Sequence, residues 1–300
     1  ANNVLTNELD APSDNQNFTI STWFKRSKLG AEEGLWSVDA TGSYCRFETT
    51  GAIRVRQYNG IINAITANYF RDPSAWYHLV VAWDMDNSTE ADRIIIYVNS
   101  VRQTLGTYHA PTTSETSNIN ADGRTLHIGS SHDGSDPAQF FEGYMADFNF
   151  VDGSVLTPTS FGETKNGVWI PIEPSGLTYG NNGFRLKFDQ VGLGTASTST
   201  IGADTSGKNR HFTSAGIVAS DCNMPDCPEN NFATWNPLQS SSGLQGAHGT
   251  LTDGNLKATT STGGFYTLGN WYLTSGVWYW EYLYLSKGSN HFFGMYDILS

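Results

Sequence analysis

The chain has 300 residues, a net charge of −12 and only 15% charged residues, and it is rich in aromatic residues (13%) and in glycine (31 residues). Strands and turns favour such a composition more than helices do, so it predicts an all-β protein of about two domains. The acidic balance excludes a nucleic-acid partner, and no stretch approaches the ~18 consecutive apolar residues that would predict membrane insertion.

Short strands separated by turn residues follow one another through the first part of the chain. In residues 52–58 apolar and polar side chains alternate, so Ile53 and Val55 are predicted to face a core. Residues 76–83 and 93–98 are near-continuous apolar runs, which is typical of strands that are buried on both faces. The predicted elements are strands over 18–25, 34–38, 44–47, 52–58, 76–83, 93–98, 125–129, 140–150 and 183–188, and a helical turn over 158–161.

The composition changes near residue 220, where two prolines and a cysteine pair interrupt the strand pattern. We therefore predict a first domain over 1–220, a linker over 221–231 and a second domain over 232–300. The strands predicted in the second domain are 266–271, 276–284 and 290–297. Because these are too few to close a sandwich, we expect the natural chain to continue beyond the last residue. The start has neither an initiator Met nor a signal segment, so we also expect missing sequence before the first residue.

Three cysteines are too few for a disulfide scaffold. Four residues separate Cys222 from Cys227, and two interpretations of this pair stay open: a local disulfide or two free thiols. A zinc site needs four ligands, and only His211 lies near the pair, which disfavours zinc. Cys45 follows an apolar strand pattern and is predicted to be a small core residue.

Three segments resemble parts of a known fold. Residues 18–25 (FTISTWFK) are similar to an early core strand, 76–84 (WYHLVVAWD) with 96–100 (IYVNS) to a hairpin, and 141–148 (FEGYMADF) to a closing strand. Together they resemble the laminin-G-like, concanavalin A-like jelly-roll superfamily over about residues 15–150. The resemblance implies an antiparallel β-sandwich, a fold that often carries calcium.

A narrower resemblance rests on four later segments, which are 157–163, 183–188, 204–213 and 226–238. Their succession resembles proteins of tailed bacteriophages, many of them marine, in which this sandwich precedes a SPRY-like β-sandwich. Residues 276–282 (GVWYWEY) are similar to a strand near the start of SPRY-like domains. The resemblance implies a virion location, in a tail fibre or on the head, with other virion chains and host surface glycans as partners. Tail fibres are commonly homotrimers, but the sequence has neither heptads nor triple-helix repeats that would show one.

The jelly roll also hosts glycoside hydrolases, which need two carboxylates about 5–9 Å apart across a cleft. Glu142 and Asp147 are five residues apart on one predicted strand and therefore point to opposite faces. The other acidic pairs are Glu90 with Asp92, in a polar loop, and Glu32 with Glu33, which diverge. His78 lies in a buried strand pattern and is predicted to be a hydrogen-bonded core residue rather than a base. We therefore predict a non-enzymatic protein.

Two sets of residues are candidate ligand sites. Arg54, Arg56 and Tyr58 project from one strand face, and guanidinium groups beside an aromatic ring suit a sugar; the alternative is a solvated face or a contact with another protein chain. Asp133 and Asp136 are candidate calcium ligands on a Gly-containing turn, the alternative is an ordinary turn, and no other cofactor is expected. The tryptophans predicted to lie in the core are Trp76, Trp83, Trp278 and Trp280.

These features favour a non-enzymatic virion protein that presents a binding surface for host glycans or for other protein chains. Two alternatives stay open. The first is a structural decoration protein without a ligand, and the second is a polysaccharide-degrading enzyme on the same fold. Binding to glycans and release of sugars from them are the measurements that distinguish the three.

Overall fold

The computed structural model describes residues 2–39, 42–57, 62–132, 137–238, 250–259 and 267–286. These residues form β-strands and three short 3₁₀ turns, over Glu90–Asp92, Pro158–Ser160 and Ala219–Asp221. The predicted all-β class is confirmed, and so is the helical turn after residue 157. No helix among the described residues has the length and apolar character needed to cross a membrane.

The strands, numbered in chain order, are β1 (Val4–Glu8), β2 (Asn17–Arg26), β3 (Glu33–Val38), β4 (Ser43–Phe47), β5 (Ile53–Gln57), β6 (Ile62–Thr66), β7 (Tyr77–Asp84), β8 (Ile94–Val98), β9 (Val101–Arg102), β10 (Leu105–His109), β11 (Thr125–Ile128), β12 (Ser131–His132), β13 (Pro137–Ala138), β14 (Gly143–Asp152), β15 (Gly162–Lys165), β16 (Val168–Pro171), β17 (Phe184–Leu186), β18 (Thr213–Ala215), β19 (Thr250–Thr252) and β20 (Lys257–Thr259). Every strand predicted between residues 18 and 188 is present, with ends that differ by at most three residues.

Two large antiparallel sheets form the sandwich. The first has eight strands in the order β10-β6-β5-β4-β3-β11-β1-β18, and the second has six in the order β17-β14-β2-β7-β8-β9. The remaining strands pair as three hairpins, which are β12-β13, β15-β16 and β19-β20. Strands that are far apart in sequence lie side by side in both large sheets, and this is the topology that the jelly-roll resemblance implies.

The core lies between the two large sheets. Ile53 and Val55 are fully buried in it, as their alternation with polar neighbours predicts. Phe18 of β2 stacks on Trp83 of β7 with the ring centroids 4.7 Å apart. Trp36 of β3 approaches Trp83 from the opposite sheet at 5.8 Å. Trp83 is therefore buried as predicted, and it joins the middle strands of the two sheets.

Burial on both faces is confirmed for β7 but is wrong for β8. Residues 78–83 are all buried because apolar side chains also cover the outer face of the six-stranded sheet. The buried members of this second cluster are Val80, Val151, Phe161 and Tyr179. In β8 burial alternates, and Ile95 and Tyr97 are half-buried. Strand β8 lies close to the edge of the sheet, because only the two-residue strand β9 lies beyond it. Its outer face is therefore less covered than that of β7.

The strand predicted over residues 276–284 is absent, so this prediction is wrong. These residues have no regular secondary structure, and Trp278 and Trp280 are 45% and 52% exposed rather than buried in a core. Aromatic residues form a strand only where a neighbouring strand pairs with them, and no described strand pairs with this segment. The described part of 266–271 forms only an isolated bridge, and 290–297 lies outside the described residues.

The segment predicted as a linker lies against the outer face of the six-stranded sheet. There the buried Lys25 ammonium donates three hydrogen bonds of 2.7 Å, to Asp226 Oδ2, to Asn231 Oδ1 and to the Phe232 carbonyl oxygen. Trp76, which is buried as predicted, donates its indole N–H to Asp226 Oδ1 at 2.8 Å. Burial lowers the pKa of Lys25, although the hydrogen bond and the charge of Asp226 act in the opposite direction. We call these five residues the clamp, because they fix this segment on the sandwich.

The three cysteines are free thiols. The disulfide considered for Cys222 and Cys227 is therefore not formed, and the local backbone explains why. Cys222 follows a 3₁₀ turn and packs into the core, whereas Cys227 belongs to a separate turn that closes on Asn230. Burial raises the pKa of both thiols. Cys45 is fully buried in the core, as predicted.

Candidate functional site

A row of polar side chains crosses the outer face of the eight-stranded sheet. Strand register puts them in line, because directly paired residues point to the same face. Apolar neighbours such as Val55 and Ala64 are buried in the core, which places the row on the opposite, outer side. From one edge of the sheet to the other, the row consists of Thr213, Thr6, His127, Ser37, Tyr44, Arg56, Asn63 and His109.

Arg54 and Arg56 lie on the outer side of β5, as their alternation with core residues predicts, and both are half-buried. Arg54 donates its Nε hydrogen to Asn63 Oδ1 at 2.8 Å. Arg56 donates to the Tyr44 hydroxyl oxygen at 3.4 Å, and its Cζ atom lies 5.8 Å from the centroid of that ring. Two guanidinium groups and one side-chain amide therefore lie together, and we call Arg54, Arg56 and Asn63 the arginine patch.

Tyr44 supports the arginine patch from the neighbouring strand β4. Its ring is only 1% exposed, with the Cζ atom of Arg46 at 4.6 Å from the centroid and Arg56 on the next strand. Arg46 in turn is held by two carboxylates, since Nη2 lies 2.6 Å from Glu32 Oε1 and Nε lies 3.1 Å from Glu48 Oε1. The Tyr44 ring is thus a support for Arg56 and is not available for stacking on a sugar.

The hairpin β12-β13 packs over strands β3 and β4, next to the arginine patch. Gly34 of β3 makes this approach possible, since a Cβ atom at this position would lie 1.9 Å from the Ser131 backbone nitrogen. Gln139 ties the chain after the hairpin to the sheet: it donates to Glu32 Oε2 at 2.6 Å and accepts from Arg46 Nη1 at 3.0 Å. One side of the outer face is therefore covered, whereas the residues of the arginine patch on the other side are half-buried.

In the covered part of the row, the buried His127 lies against His132, a buried histidine of the covering strand β12. The ring centroids of His127 and His132 are 5.0 Å apart. Burial, with a smaller effect of the neighbouring His132, lowers the pKa of His127 to about 4. Among the described residues, neither ring nitrogen of His127 has a hydrogen-bond partner, and the same holds for Ser37 Oγ. At neutral pH His127 is uncharged, so it adds no charge to the face.

The structure brings together only part of the predicted site residues. Arg54 and Arg56 are neighbours in the arginine patch, whereas Tyr58 lies outside the described residues. The candidate calcium ligands Asp133 and Asp136 also lie outside them. Within the described ranges, no group of three or more His, Cys, Asp or Glu side chains is placed to hold a metal ion. The glycan and calcium assignments stay predictions.

Glu142 and Asp147, the acidic residues considered for catalysis on one strand, both face basic groups. Glu142 is exposed and forms an ion pair with Lys28. Asp147 lies at an irregularity of β14 and binds Arg185 Nε at 2.6 Å. On the outer face of the eight-stranded sheet, Glu32 and Glu48 both bind Arg46, so this arginine lies between the two carboxylates. Neither arrangement has the two carboxylates that glycoside hydrolysis places on either side of a substrate bond.

A buried Ser–His pair lies on the outer face of the six-stranded sheet. Ser21 Oγ is 2.8 Å from His78 Nε2, and Trp169 donates its indole N–H to His78 Nδ1 at 3.0 Å. Nδ1 therefore carries no proton, so in the neutral ring Nε2 carries one and donates it to Ser21. Burial lowers the pKa of His78 to about 3, and its ring stacks on Trp23 at 4.6 Å. In this tautomer His78 does not activate Ser21, and it is the hydrogen-bonded core residue that the sequence predicts.

Sequence reasoning missed several residues that build the site. Asn63 alternates with buried neighbours in β6, and this pattern was readable as an outward direction. Its pairing with Arg56 and its hydrogen bond with Arg54 across the hairpin were not readable, because register depends on the turn between the strands. Tyr44 and the covering hairpin had no signal in the sequence, since their positions follow from tertiary packing.

The fold is a jelly-roll sandwich of the concanavalin A-like lectin type. Residues 1–160 match the family Laminin_G_3, which is described as the concanavalin A-like lectin/glucanases superfamily. The chain belongs to this family. A comparison with curated proteins gives no match.

Several solved structures are similar to part of this chain at low sequence identity. A native heptameric SAP-like pentraxin from Limulus polyphemus is 15% identical, with a TM-score of 0.39 over 52% of this chain and 71% of the pentraxin chain. The CBM40 of the Ruminococcus gnavus IT-sialidase, solved with α2,3-sialyllactose, is 13% identical, with a TM-score of 0.35 over 49% of this chain and 80% of its own. The binding domain of botulinum neurotoxin serotype D/C is 13% identical, with a TM-score of 0.31 over 48% of this chain and 35% of its own.

Proposed function

We propose that this protein is a non-enzymatic binding protein whose arginine patch recognises glycans. One observation carries the proposal: strand register brings Arg54, Arg56 and Asn63 together, half-buried, on an outward sheet face. Guanidinium and amide groups are planar hydrogen-bonding groups, and they match the hydroxyl and acidic groups that sugars present. The family supports the proposal, because its description includes lectins.

Binding to an array of immobilised oligosaccharides tests this proposal. We expect the intact chain to bind a subset of the glycans and the double variant Arg54→Ala/Arg56→Ala to lose this binding. Arg102→Ala is a matched control, because Arg102 is 48% exposed, pairs with Asp92 and lies on the edge of the other sheet. Binding to no glycan would refute the proposal in favour of a decoration protein. Release of reducing sugar ends from a bound polysaccharide would refute it in favour of an enzyme.

We further propose that the protein is displayed on the surface of a tailed-phage particle, with other virion chains and host glycans as partners. The succession of motifs between residues 157 and 238 supports this location, and the division into a sandwich over 1–220, a linker over 221–231 and a SPRY-like module over 232–300 belongs to the same proposal. Immunogold labelling of intact particles of a phage that encodes this chain is the test. Gold on the tail or head is the expected result, and particles that bind no antibody would contradict it.

A further inference from the structure

Among the described residues, Arg56 differs from its neighbours on the outer face because no acidic side chain pairs with it. Arg46 is held by two carboxylates, and Arg54 Nη1 lies 3.5 Å from Glu48 Oε1. In the part of the chain that the structure describes, no carboxylate oxygen lies within ion-pair distance of Arg56. Within the described ranges, the arginine patch therefore keeps one positive charge without a carboxylate partner, on a protein whose net charge is −12.

Toward the residues that the structure describes, most of the hydrogen-bonding capacity of Arg56 is also unused. A guanidinium group has five N–H donors, and the Tyr44 hydroxyl accepts one of them at the long distance of 3.4 Å. The group is half-buried beside the Tyr44 ring, and the lower effective dielectric of such a place strengthens its attraction for an anion. A neutral sugar hydroxyl would fill a donor but would leave the charge uncompensated.

We infer that the arginine patch selects anionic glycans, with Arg56 binding a carboxylate or sulfate group of the sugar. Arg54 and Asn63, which are already bonded to each other, are placed to contact neighbouring hydroxyl groups. The fork of N–H donors on a guanidinium group matches paired oxygens of either acid, and charge-assisted hydrogen bonds are about twice as strong as neutral ones. The inference rests on the proposed function and names the ligand class of the same site.

An array of matched glycan pairs tests the ligand class. One arm compares oligogalacturonates with their methyl esters, and the other compares sulfated with unsulfated galactans. We expect the intact chain to bind the charged member of at least one pair and not its neutral counterpart, and the arm that responds identifies the acid. Binding to neutral members as strong as to charged ones would overturn this inference and leave the proposed function standing. Binding to no member of any pair would also overturn this inference, and only the absence of binding on the oligosaccharide array as well would overturn the proposed function itself.

Variants at Arg56 then test the assigned residue, with the best-bound charged glycan as titrant in calorimetry. Loss of a charge-assisted hydrogen bond predicts that Arg56→Gln raises Kd by roughly 10- to 150-fold. Arg56→Lys keeps the positive charge but not the paired N–H donors, so its Kd should lie between those of the unmodified chain and the Arg56→Gln variant. Arg102→Gln is the matched control and should bind like the unmodified chain. An unchanged Kd for a folded Arg56→Gln variant would show that another group binds the anion.

Discussion

The clamp offers the sharpest test of how the chain after the sandwich is held. Asp226→Asn keeps the shape of the side chain and a carbonyl oxygen for the Trp76 indole, but it removes the charge opposite Lys25. The side chains of Lys25 and Asp226 are 1% and 3% exposed. Removal of one partner from a buried ion pair leaves an uncompensated buried charge, which costs about 3–5 kcal/mol. We therefore expect the free energy of unfolding to fall by about 3 kcal/mol or more.

Urea denaturation measures this loss, and the chain provides its own control. Lys28 and Glu142 form an ion pair in which the side chains are 47% and 54% exposed, so Glu142→Gln should cost less than about 1 kcal/mol. Removing both charges of the clamp, with Lys25→Met and Asp226→Asn together, should cost less than Asp226→Asn alone because no unpaired charge remains. Hydrogen exchange should rise first at residues 226–232. A loss for Asp226→Asn no larger than that for Glu142→Gln would refute the argument.

Two further predictions concern packing and pH. Gly34→Ala would place a methyl group 1.9 Å from the Ser131 nitrogen, so thermal unfolding should show that the free energy of unfolding falls by about 1–3 kcal/mol. Gly106→Ala is the control and should be nearly neutral, because its Cβ would meet nothing closer than 3.6 Å. Equal effects of the two variants would contradict the close approach. The pKa of His78 is about 3 in the folded chain and near 6.5 in the unfolded chain. Between these two values the unfolded chain binds one proton more than the folded chain. The free energy of unfolding therefore falls as pH falls from 6.5 towards 3, by about 1.4 kcal/mol per pH unit. His78→Gln should remove that part of the slope in urea denaturation between pH 4 and 7, and an unchanged slope would show that His78 is not the group responsible.

The strands of the sandwich were predictable because their signal is local. Alternation in residues 52–58 gave both the strand and its core face, and Ile53 and Val55 are fully buried accordingly. The same rule failed at 276–284, where an aromatic run predicts a strand but none of the described strands pairs with the segment. A period-two pattern reports which side a residue faces, whereas the existence of a strand also depends on a partner elsewhere in the chain.

The candidate site was only half predictable for the same reason. The outward direction of Arg54 and Arg56 follows from their own strand, but their contacts with Asn63 and Tyr44 follow from register between strands. The clamp had no signal at all. Lys25 occupies a polar position of its strand, which predicts exposure to solvent. Asp226, the carboxylate that pairs with it, lies 201 residues further along the chain.

The clamp and the arginine patch lie on opposite sides of the sandwich, and this placement determines how the molecule presents itself. The clamp fixes residues 226–232 on the outer face of the six-stranded sheet, whereas the patch lies on the outer face of the eight-stranded sheet. An attachment made through the clamped side therefore leaves the patch facing away from its support. Two copies joined back to back through that side would direct their arginine patches in opposite directions. Avidity would then come from binding two separate glycan-bearing surfaces and not from two contacts with one oligosaccharide.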